Sequence, residues 1–74
     1  MLNDKLIKLL KSSSLEDVQL AKEFIIVMSN PVNKKCLACE CYDFLVSWPF
    51  RKQVPNIEIV KVLEELQEWV FEHC

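Results

Sequence analysis

Apolar residues return every third or fourth place in four separate stretches of this chain, the period of an amphipathic helix. The last stretch, Asn56 to Cys74, shows the pattern best. At 100° per residue, Ile59, Val62, Leu63, Leu66, Trp69 and Val70 fall within one arc of about 120°. Glu58, Lys61, Glu64, Glu65, Glu68 and Glu72 take the opposite side. No alternation of period two fits, which excludes a strand. Pro55 precedes the stretch, and the Asn56 side-chain oxygen can accept from a free N–H of the first turn. The spacing predicts a helix over 57–73. Phe71 falls on its flank, half covered.

Leu2, Leu6, Leu9 and Leu10 predict a first helix over 2–11. Ser12, Ser13 and Ser14 end it, because serine hydroxyls compete for backbone groups. Ser13 and Glu16 have the spacing of a capping box that opens a second helix over 15–29. Val18, Ala21, Phe24, Ile25 and Met28 line one side there. Leu20 and Val27 widen the stripe, which predicts burial on more than one side. Asn30-Pro31 stops the helix. Residues 6–25, LIKLLKSSSLEDVQLAKEFI, resemble one unit of a HEAT-type helical repeat. No second copy of the period follows, so a solenoid is not expected.

A third helix is predicted over 34–47. Leu37, Cys41, Phe44, Leu45 and Trp48 follow its i, i+4, i+7, i+8, i+11 pattern. Pro49 should break it and start a loop to Pro55. The whole reads as an all-α, compact antiparallel bundle of about four short helices in one domain, 1–74.

Composition changes this picture in several ways. Half the residues are apolar (51%), at the top of the usual globular range. A chain of 74 residues cannot hide them all, so the surplus should meet a protein partner or a second copy. The net charge of −2 speaks against nucleic acid. Phe24 to Met28 is the longest apolar run and is too short for a membrane span. No secretory cleavage pattern follows Met1. The expectation is a cytoplasmic protein in a reducing compartment. Glycine is absent, which removes glycine-rich phosphate loops. The lysine bias and lack of glycine match the composition of many phage and viral accessory proteins.

The chemistry-bearing residues are few. Cys36, Cys39 and Cys41 form C-x2-C-x-C, and with His73 and Cys74 they offer soft ligands for zinc. On a continuous helix, however, Cys39 and Cys41 point about 200° apart and cannot share one ion. The expectation is therefore reduced cysteines without metal, Cys41 acting as a small hydrophobe. A zinc site is the alternative, and a disulfide ranks last for a reducing compartment. His73 beside Cys36 or Cys39 would make a thiol–imidazole pair, but no oxyanion hole accompanies it. Glu64, Glu68 and Glu72 read as a solvated strip, and Lys34, Lys35, Arg51 and Lys52 as solvated loop charges. No catalytic residue and no cofactor are assigned.

Trp48, Phe50 and Arg51 in the predicted loop, with Phe71, have the composition of interface hot spots. The functional expectation is a non-enzymatic protein–protein interaction module, an adaptor, inhibitor or regulatory subunit that self-associates. The alternative is a zinc-stabilised helical regulator built on the cysteine cluster.

Overall fold

Among the described residues five helices, α1 (Leu2–Leu10), α2 (Leu15–Met28), α3 (Leu37–Glu40), α4 (Tyr42–Arg51) and α5 (Ile57–His73), follow one another along the chain. The structure is a computed structural model, which describes residues 2–29, 32, 36–51 and 56–73. The side chains of Leu2, Pro49, Phe50 and Arg51 lie outside that description. The described residues contain no strand, and the fold is all-α.

α5 forms where its stripe predicts. Ile59, Val62, Leu63, Leu66 and Val70 are buried, and Trp69 is half-buried against the core. Asn56 caps it: its Oδ1 accepts from the Glu58 N–H at 2.9 Å, and its carbonyl from the Val60 N–H at 3.2 Å. α1 buries Leu6 and Leu10, one turn apart.

The α1–α2 junction departs from the expected capping box. The N-cap of α2 is Ser14, and its side chain makes no capping bond. The Ser12 hydroxyl does the local work, accepting from the Ser14 N–H at 3.1 Å and donating to Asp17 Oδ2 at 3.0 Å. α2 then buries Val18, Ala21 and Ile25 on one side only. Leu20, Phe24 and Val27 are 56%, 36% and 64% exposed, so the expectation of burial on several sides fails for this helix.

The predicted third helix is two helices. Its first described turn starts at Leu37, and α3 gives way to α4 at Cys41. The hydrogen-bond ladder still passes through: the Cys41 N–H donates to Leu37 O at 3.1 Å, and Cys41 O accepts from Leu45 N–H at 3.0 Å. Cys41 is thus a kink rather than a loop. The apolar row behaves as predicted, with Leu37, Cys41, Phe44, Leu45 and Trp48 all buried. α4 also continues through Pro49 to Arg51, where a loop is expected. A proline inside a helix costs about 3 kcal/mol. Each large side chain buried returns about 1.5–3 kcal/mol, and Phe44, Leu45 and Trp48 are three of them.

One hydrophobic core receives side chains from all five helices. α2 lies against α1, α3 and α5, and α4 lies against α5. Polar ties also join distant segments. The Ser29 hydroxyl, buried, accepts from the Ala38 N–H at 3.3 Å and holds the end of α2 on α3. Lys22 on α2 pairs with Glu65 on α5 at 2.6 Å. The radius of gyration, 11.4 Å, meets the roughly 11 Å expected for a folded domain of this length. Among the described residues no helix is long and apolar enough to cross a membrane.

Candidate functional site

The cysteine cluster sits at the α3–α4 kink. Cys36 is the N-cap of α3, with extended backbone at φ −108° and ψ 93°. Its carbonyl accepts from the Cys39 N–H at 3.1 Å and the Glu40 N–H at 3.4 Å. Residues three apart at such a turn share a face. Cys36 and Cys39 are both disulfide-bonded, and Cys41 is a free thiol. The chain has four cysteines, and a sulfur in a disulfide joins only one other. Bonding either residue to Cys74 would leave the other without a mate, so the bond joins Cys36 to Cys39. This corrects the expectation of reduced thiols at these two positions.

Cys41 is what the sequence predicts. It is 1% exposed, and its Sγ donates to Asn3 Oδ1 at 3.4 Å. Burial, and to a smaller degree the Glu40 carboxylate, pushes its thiol up to about 11. The side chain stays neutral and inert.

Beside the disulfide lies an open apolar cleft of about 410 Å³, lined by Cys39, Tyr42, Val70 and Phe71. Val70 is its buried floor. The Tyr42 and Phe71 rings meet edge to face, with centroids 6.3 Å apart and planes at 83°. Phe71 is 65% exposed and Tyr42 39%. Cys36 packs half-buried against the core, whereas Cys39 is exposed. Cys39 therefore belongs to the cleft wall, while Cys36, its disulfide mate, packs on the core.

The other sequence candidates scatter. Trp48 is 5% exposed and packs against Phe44 at 6.1 Å, in the core rather than in a loop. The side chains of Phe50 and Arg51 lie outside the described residues, as do Lys34, Lys35, Lys52 and Cys74. His73 is exposed and stacks on Trp69, centroids 4.3 Å apart. Its Nδ1 lies 2.9 Å from the Trp69 carbonyl, a bond that needs the proton on Nδ1. Glu64, Glu68 and Glu72 are exposed, as expected of a solvated strip. Glu65, off that strip, is the engaged one: the hydrogen bond and charge of Lys22 hold its carboxyl below the usual range, with Lys61 adding a smaller pull. Among the described residues no three His, Cys, Asp or Glu side chains converge on a metal position.

Sequence reasoning missed Tyr42. It falls on the polar side of the predicted third helix, three places after Cys39, and that spacing was the available signal. No known protein family matches this chain, and no curated protein and no solved structure of significant similarity was found.

Proposed function

We propose that the chain is a protein-binding module, an adaptor, inhibitor or regulatory subunit, whose contact surface is the Tyr42–Phe71 cleft. The carrying observation is Phe71, a large ring mostly in solvent and set edge-on to Tyr42 over an apolar recess. Two exposed rings over an apolar recess make a contiguous apolar patch, and such patches mark contact sites. Aromatic anchors in a preformed hollow are also where binding energy concentrates. The module acts by contact, without turnover and without a cofactor.

The test is selection of twelve-residue peptides from a random library on the immobilised chain, followed by titration of the winners. Peptides with apolar anchors should be enriched. Phe71→Ala should weaken them by at least about 2 kcal/mol while leaving the thermal melt in place. Winners indifferent to Phe71→Ala would overturn the reading.

A second contact serves self-association. Leu20, Phe24 and Val27 are exposed at i, i+4 and i+7 on α2, a seam that a second copy of the same helix can cover. Sedimentation equilibrium should show a dimer that Val27→Glu splits.

A further inference from the structure

The cleft and the disulfide share a wall, and that juxtaposition carries more than binding. We infer that Cys36–Cys39 is a thiol–disulfide exchange site for a cysteine-bearing polypeptide seated in the Tyr42–Phe71 cleft. This rests on the binding reading and adds the partner's chemistry: an apolar side chain for the hollow and a pair of thiols, the first of them beside it.

Three observations select this occupant. First, a disulfide sulfur is an electrophile, and the nucleophile that attacks it is a thiolate. Second, access is one-sided. Cys39 is exposed and lines the cleft, while Cys36 packs against the core. A thiolate arriving from the cleft meets Cys39 Sγ first. Third, the bond closes a loop of only four residues, 36 to 39. Short loops gain the least from the chain-entropy effect that makes structural disulfides persist, so this one is suited to opening.

The partner thiolate attacks Cys39 Sγ, forming a partner–Cys39 bond and breaking Cys36–Cys39. The electron pair leaves on Cys36 Sγ, which takes a proton from water. A second partner thiolate then attacks the partner sulfur of this mixed disulfide. It closes a disulfide within the partner and releases Cys39, which is protonated in turn. The partner dithiol loses two electrons and two protons, and the Cys36/Cys39 pair gains them. The exchange is stoichiometric, one partner disulfide made per chain. Cys41, two residues on, stays out of it because it is buried and hydrogen-bonded to Asn3.

The experiment uses the oxidised full chain and two synthetic twelve-residue peptides, each with one cysteine. One places leucine and tryptophan beside the cysteine, and the other places serine there. With a single thiol the reaction halts at the mixed disulfide, which intact-mass and peptide mass spectrometry locate. The adduct should map to Cys39 and form at least about tenfold faster with the apolar peptide, the factor that burying one apolar side chain is worth. Phe71→Ala should erase the rate difference. An adduct on Cys36, or equal rates for the two peptides, would overturn the inference. Fluorescence anisotropy of the apolar peptide with its cysteine replaced by serine separates the two readings. If that peptide binds and Phe71→Ala releases it, yet no Cys39 adduct forms, exchange is wrong and the binding surface stands.

Discussion

Cys39 and Cys41 are two places apart, and solvent access gives them different chemistry. With its thiol held up at about 11 against an ordinary 9.0, Cys41 makes stability depend on alkaline pH. Below pH 9 both folded and unfolded chains keep the proton, and the native state loses nothing. Between about 9 and 11 the unfolded thiol ionises while the buried one does not, so the unfolded state is favoured as pH rises. The loss is on the order of 2 kcal/mol across that window. Melts recorded from pH 8 to pH 11 should fall more steeply for the native chain than for Cys41→Ala. Equal slopes would mean that the thiol is not buried in solution. Among apolar positions, Leu66 is fully buried and Glu68 is exposed. Leu66→Ala should cost about 2–5 kcal/mol, and Glu68→Ala less than about 0.5 kcal/mol, both measured by urea unfolding.

At the scale of elements, local signals and packing contend, and the outcome can be read helix by helix. α1, α2 and α5 were legible to within a residue, because their stripes and the Asn56 cap agree with the core they join. α4 was not, because the proline rule looks only at the backbone. The helix nevertheless runs past Pro49 to Arg51. The serine turn misled because three adjacent hydroxyls offer three caps, and the one used is Ser12, which bonds the Ser14 N–H and the Asp17 carboxylate. Ser12→Ala should therefore cost about 0.5–2 kcal/mol, while Ser13→Ala should stay within about 0.5 kcal/mol. Trp48→Ala should cost about 3–5 kcal/mol, which calorimetry or urea unfolding will read. A Trp48→Ala chain that melts like the parent would return the ring to the surface. The cleft itself was half legible. Phe71 stood off its stripe, but the kink that sets Tyr42 and Cys39 at the same hollow belongs to no periodicity.

Across the described residues, most of the exposed large apolar side chains fall in two places, the Tyr42–Phe71 hollow and the outer side of α2, with Val32 and Ile57 exposed as well. Separate substitutions should separate them, Phe71→Ala affecting peptide binding and Val27→Glu affecting sedimentation, with no effect of either on the other's readout. The arrangement of the core also bears on how the protein comes into being. α5 supplies Ile59, Val62, Leu63, Leu66 and Val70, and it is the helix against which both α2 and α4 rest. It is also the last of the five to leave the ribosome. Until it emerges, α2 and α4 lack the helix on which both rest, and a nascent chain halted near residue 56 should be cut readily by protease and held by chaperones. Resistance should arrive in one step once residue 73 clears the exit tunnel.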